Sequence, residues 1–205
     1  MNYTEVVNLA LSYSDRNDLE VADRMDDFLR VVESRINRKL KVQEMSVRSY
    51  VQTSDDKEYY TLPNDFAGLR DIEVKSSTTA TGRTTLKYLN PEQLNNVNEN
   101  SAGVYYTIVA GQLQIRPRRP SGEVIEIIYY RRVPPLNATV QPENWVSINY
   151  PDIYLFGLMV EISSFAKDAE AKVLWDERFL MGLNELQDDD FSSRWSGTAL
   201  QVRVE

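Results

Sequence analysis

None of the 205 residues is cysteine and none is histidine. The first absence excludes disulfides and thiolate metal sites. The second removes the commonest general base and the commonest zinc ligand. Nucleophilic triads of the usual kind therefore cannot be assembled. The eight glycines form no phosphate-cradling loop: GxxxxGK[ST], GxGxxG and the GxSxG elbow are all absent. No catalytic residue, cofactor or metal ligand is expected. Long hydrophobic runs are also missing. The most apolar stretch, residues 153–162, is too short to span a bilayer and is interrupted by Glu161. The first five residues lack both the basic start and the apolar run of a signal peptide. No membrane association is expected. Positive charge is in the minority, 23 Lys and Arg against 31 Asp and Glu, a net −8. That balance argues against a broad basic face for nucleic acid. It suits a wall past which a polyanion slides without sticking.

What is present is a folded chain, 42% hydrophobic, long enough for one sizeable core or a core plus a small subdomain. Thr4 can cap a first helix with Val6, Leu9, Ala10 and Tyr13 on its inner face. A second helix, about residues 23–41, carries Met25, Phe28, Leu29, Val32, Ile36 and Leu40 at three- and four-residue spacing. From Met45 the period changes to two. Strands are expected around residues 46–52, 59–62, 69–74, 87–89, 104–109, 112–116 and 124–130, with a short helix opened by Asn90-Pro91. The tight join at Ala110-Gly111 suggests a hairpin. A proline-containing connector follows. This order, with helices segregated from strands, predicts an α+β fold: terminal helices forming a bundle around an inserted antiparallel β subdomain. The expected boundaries are 1–44 and 150–190 for the bundle, 45–131 for the β part, 132–149 for a connector and 191–205 for a C-terminal extension.

Residues 145–187 dominate the chain and read as two helices joined at Lys167-Asp168, with Asn149 and Pro151 as start signals. From Ile153 to Phe165 apolar residues cover nearly the whole circumference. A helix apolar all round is buried all round, which suggests packing on its own fold with one face and on another subunit with the other. The next helix carries one stripe, Ala171, Trp175, Phe179, Leu183 and Leu186, with charges elsewhere.

Three groups invite a chemical reading. Asp152 with Glu170 and Lys172 matches the letters of a PD…ExK magnesium-dependent nuclease, but both pieces fall at helix starts, where acids cap and suit the dipole. Asp188, Asp189 and Asp190 read as a frayed, solvated helix end. Arg116, Arg118 and Arg119 lie at one end of the last strand, Arg131 and Arg132 at the other. Pairing with acidic neighbours is expected for them rather than one continuous DNA patch. Tyrosine doublets in the strands place one ring on each face.

Four landmarks, in order, resemble the head-to-tail adaptor (connector) proteins of tailed bacteriophages, short-tailed ones in particular. They are Tyr60-Thr-Leu-Pro-Asn-Asp-Phe66, then Leu86-Lys-Tyr-Leu-Asn-Pro-Glu-Gln93, then the hairpin from Tyr105 to Pro117. The last runs from Tyr129 to Leu136 with Asn144-Trp145 and Tyr150 to Gly157. The resemblance covers about residues 60–187 and implies no enzyme activity. It implies a ring, dodecameric in relatives, at the virion neck between portal and tail nozzle or tube, assembled in the host cytoplasm. Double-stranded DNA would pass through it without specific binding. A ring needs two different faces per subunit. The expected subunit interface is Tyr154, Phe156, Gly157, Val160, Phe165 and Trp175, and the portal-binding extension is Trp195, Leu200, Val202 and Val204. A tail-completion or neck protein at another level of the same assembly is the alternative.

Overall fold

The computed structural model describes residues 1–15, 19–55 and 57–195, residue 195 by its main chain only. The chain is α+β. It opens with α1 (Tyr3–Ser14), α2 (Leu19–Ala22) and α3 (Met25–Lys39). It continues as β1 (Ser46–Gln52), β2 (Tyr59–Thr61), β3 (Phe66–Lys75), β4 (Thr84–Thr85), β5 (Lys87–Tyr88), α4 (Pro91–Asn95), β6 (Tyr105–Val109), β7 (Gln112–Arg116) and β8 (Val124–Arg131). It closes with α5 (Trp145–Asn149), α6 (Pro151–Phe165) and α7 (Ala169–Trp195). Two compact units result: the terminal segments, up to Glu44 and from Val133, form a helical unit, and Met45–Arg132 form a sheet unit.

In the helical unit α1 starts at Asn2 rather than at Thr4. The Asn2 side chain accepts the Glu5 N–H at 2.9 Å while the Glu5 carboxylate accepts the Asn2 N–H at 2.9 Å, a reciprocal cap. Val6 and Ala10 point inward, whereas Tyr13 is exposed. Helix α3 buries Met25, Leu29, Val32 and Ile36. Its first turn holds Asp26 and Asp27 and its last Arg38 and Lys39, each sign at the end the dipole favours. Asn149 does not start the long helix. Asn144 caps α5, accepting the Ser147 N–H at 2.9 Å, and α6 begins separately at Pro151 with no side-chain cap.

Helix α6 is the axis of this unit, and α1, α3, α5 and α7 all pack on it. The expectation that a helix apolar all round needs a second subunit is therefore corrected, because the chain's own helices surround it. Ile153, Tyr154 and Leu158 have no exposed surface. Burying a side chain of that size stabilises by about 1.5–3 kcal/mol. Helix α7 runs straight through the aspartate run, which is not frayed. Asp190 accepts the Gln43 N–H at 2.8 Å and pairs with Arg194, and Gln187 donates to the Lys39 carbonyl at 2.8 Å. The first residues expected in the C-terminal extension are thus helical.

The sheet unit holds two four-stranded sheets, ordered β1-β8-β3-β4 and β2-β7-β6-β5. Pairing is antiparallel except for β5 with β6, which run parallel. Alternation along β8 sends Ile125, Ile127 and Tyr129 to one face, where they join Ile72 and Val74 of β3 and Leu113 and Ile115 of β7 in one core shared by both sheets. Its opposite face carries Glu126, which is 2% exposed and paired with Lys75 and Arg48. Burial alone would raise that carboxyl. The Lys75 hydrogen bond, the largest influence, and the Arg48 charge hold it below the usual range instead.

Candidate functional site

The surfaces available to a partner follow from how each helix presents its apolar side chains. Tyr154, Gly157 and Val160 of the expected interface lie inside the helical unit, buried. A Cβ at position 157 would meet Val32 at 2.6 Å and Phe179 at 3.1 Å. Gly157 does allow close approach, but of α3 and α7 within the same chain. The other three stay at the surface. Phe156 stacks on Trp175, ring centroids 6.0 Å apart, and the Arg178 guanidinium lies 4.9 Å above the Trp175 ring. Phe165, 38% exposed, leans on Phe28 at 5.9 Å under the Arg24 guanidinium. Of the expected extension, Leu200, Val202 and Val204 lie outside the described residues, and Trp195 ends α7.

Helix α7 is the element the sequence pattern misjudged. Its inner stripe is as expected: Phe179, Leu183 and Leu186 are buried. Its outer face is not simply charged. Val173, Leu174 and Met181 stand there at 59%, 48% and 59% exposure. Met181 lies seven residues from Leu174, two helical turns along one side. Glu177, Glu185 and Asp188 are exposed and have no ion-pair partner among the described residues. The outer side is therefore an apolar ridge flanked by free carboxylates.

The other flank of α7 meets α3 at a hollow of about 440 Å³ lined by Arg35, Arg38, Lys39, Phe179 and Leu180. Arg35 is held at its base. It pairs with Asp176 and with Glu161, 3.7 Å away, and lies 4.7 Å from the Phe179 ring centroid. Burial raises the Glu161 carboxyl above its ordinary range, and the Arg35 charge offsets only part of that. Arg38 reaches the Ser34 carbonyl at 3.3 Å, and neither Arg38 nor Lys39 has an acid partner among the described residues. The hollow thus combines two cations without an acid partner with one partly exposed apolar residue, Leu180, in a chain of net charge −8.

Three arginines of the sheet unit behave differently, whereas Arg131 and Arg132, also expected to pair, have no acid partner among the described residues. Arg116 donates twice to Glu58, at 2.7 and 3.2 Å, Arg118 lies 3.7 Å from the same carboxylate, and Arg119 grips Glu123 with two bonds of 2.7 and 2.8 Å. Burial alone would raise Glu58. Hydrogen bonds from Arg116 and Gln114, with the charges of Arg116 and Arg118, hold it below the usual range. These three are neutralised within the chain and offer no patch for phosphates. The nuclease letters do not converge either. The Asp152 carboxylate lies 3.5 Å from where a Cβ on Gly182 would sit. Residue 182 is twelve residues along α7 from Glu170, about 18 Å at the helical rise. No group of three or more acidic residues able to hold a metal ion occurs among the described residues, and no described helix is long and apolar enough to cross a membrane.

The sequence matches the family model described as SU10 adaptor protein over residues 1–203. No curated protein matches it. The chain belongs to the SU10 adaptor protein family, a family of bacteriophage structural adaptors.

Proposed function

As a member of the SU10 adaptor family, we propose, this protein forms the adaptor ring at the neck of the virion of a short-tailed phage, with portal above and tail nozzle or tube below. The ring is dodecameric, assembles in the host cytoplasm and lines the channel through which double-stranded DNA passes. The observation that carries this reading is the outer face of α7, where Val173, Leu174 and Met181 remain exposed although the inner face of the same helix is packed. Apolar area of that kind on a long, regular helix is a contact surface waiting for a partner. A subunit that offers an acid-flanked ridge on one flank and a basic hollow on another can be joined head to tail, the contact type from which rings close. Net charge of −8 and the pairing of Arg116, Arg118 and Arg119 with Glu58 and Glu123 support passage of DNA without retention.

The C-terminal extension, residues 191–205 with Trp195, Leu200, Val202 and Val204, is the segment we assign to portal docking. Electron microscopy of the protein mixed with the portal protein of the same phage tests the whole reading. The expected image is a closed ring stacked coaxially on the portal, lost when residues 196–205 are deleted. A stable closed dimer that ignores portal would sink it. Rings that dock below a different neck component would favour the tail-completion alternative.

A further inference from the structure

We infer that the subunit-to-subunit contact is an α7 ridge seated in the α3–α7 hollow of the next copy. This rests on the ring reading and assigns its lateral interface. The ridge is Leu174, Glu177, Met181, Glu185 and Asp188, and the hollow is lined by Arg35, Arg38, Lys39, Phe179 and Leu180. The occupant is a second copy of this chain because the two surfaces complement each other in both respects that matter. Exposed Met181 and Leu174 meet Leu180, the partly exposed apolar residue of the hollow, which sits beside the fully buried Phe179. The carboxylates of Glu177, Glu185 and Asp188 meet Arg38 and Lys39, which have no acid partner of their own among the described residues. Exposed charge pairs contribute little in water, but pairs closed off by an apolar contact gain strength and fix register.

Level along the helix is the second argument. Leu180 lines the hollow and Met181 crowns the ridge. Consecutive residues of an α-helix differ by about 1.5 Å in height and about 100° in direction. With α7 parallel to the ring axis, one copy receives its neighbour at almost the height at which it engages the next. Heterologous contacts without axial climb close into rings, whereas contacts with climb propagate as filaments. The volume also fits. A hollow of about 440 Å³ admits several side chains but not a whole helix, so a ridge docks there and a deep insertion does not.

The absence of cysteine makes the test clean. Met181→Cys and Arg38→Cys, each a single exposed change in the full-length chain, are mixed and oxidised. Disulfide-linked dimers are expected from the mixture and not from either variant alone, and the double variant gives a ladder ending at the ring stoichiometry. Charge exchange is the independent arm. Arg38→Glu with Lys39→Glu, or Glu177→Lys with Glu185→Lys, weakens self-association about tenfold or more in sedimentation velocity, and mixing the two variants restores it. Circular dichroism on every variant separates lost contact from lost fold. Self-association of the unaltered chain without any 181–38 cross-link, or cross-linking of Met181→Cys with itself, overturns this contact and leaves the ring standing. An unaltered chain that stays monomeric both alone and with portal overturns the ring and this inference together.

Discussion

Helices α6 and α7 lie side by side, and their apolar residues serve opposite ends. In α6 they run round the whole circumference, yet α1, α3, α5 and α7 cover them, and the helix has little left for a partner. In α7 they are diluted by charge, yet Val173, Leu174 and Met181 stay outside the fold. Apolar density along a helix thus reports how central it is within its own subunit. An apolar residue left on the far side of an already packed helix reports a partner. The helix with more apolar residues holds the subunit together, and the helix with fewer carries the surface we propose for assembly.

The largest test of that division compares positions two residues apart on α7. Phe179 has no exposed surface and closes on both Gly157 and Arg35. Phe179→Ala is expected to cost about 3–5 kcal/mol of subunit stability in urea denaturation, from lost burial and the cavity left behind. A cost below ~1 kcal/mol would mean that the inner face of α7 is not the packed one, and the comparison would fail at its first step.

The second test sharpens what holds α6. Glu33 of α3 is 6% exposed; it accepts the Leu136 N–H at 2.6 Å, and the Tyr154 hydroxyl of α6 lies 3.5 Å away. Burial raises its carboxyl to about 7, although the Leu136 and Tyr154 hydrogen bonds and the Arg30 charge pull the other way. Between the ordinary value of 4.5 and about 7 the folded chain keeps a proton that the unfolded chain has released. Stability therefore falls as pH rises through that window and is flat with respect to this group on either side. Glu33→Gln keeps an oxygen for Leu136 without the charge. The variant should lose that slope and gain about 2 kcal/mol over the parent at pH 8. Thermal melts from pH 4 to 8 measure it, and parallel curves for parent and variant would assign the slope elsewhere.

Much of this was legible in residue order. The α+β architecture followed from the change of period at Met45, and burial of α6 followed from its all-round apolar pattern. Periodicity cannot say whose atoms do the covering. Val32, which fills the space beside Gly157, lies more than a hundred residues earlier in the chain, so a helix enclosed by its own fold and one enclosed by a neighbour look alike. The outer ridge of α7 was visible as letters. Leu174 and Met181 are seven apart with Glu177 and Arg178 between them, and one stripe absorbed attention while the other passed as scatter. The Asn144 cap was hidden because residues 132–149 read as a connector, so the five-residue helix just before Pro151 left no periodicity long enough to see. The hollow had no signal at all. Arg38 and Lys39 look like dipole-complementing residues at a helix end, and only the placement of α7 beside them brings Leu180 into the same hollow.

The smallest expected effect on the fold is the most informative for the comparison. Met181 is 59% exposed on the helix whose inner face carries Phe179. Met181→Ala removes little packing within the subunit and places a residue of high helix propensity, so subunit stability should change by no more than ~0.5 kcal/mol. Self-association should nevertheless fall measurably, because a side chain that contributes nothing to the monomer is free to contribute to a contact between copies. The two readouts must therefore separate. If Met181→Ala weakened the fold as Phe179→Ala does, α7 would be packed on both sides within one subunit, like α6. The contrast between the two helices would then disappear, and with it the reason to place a neighbour on the outer face.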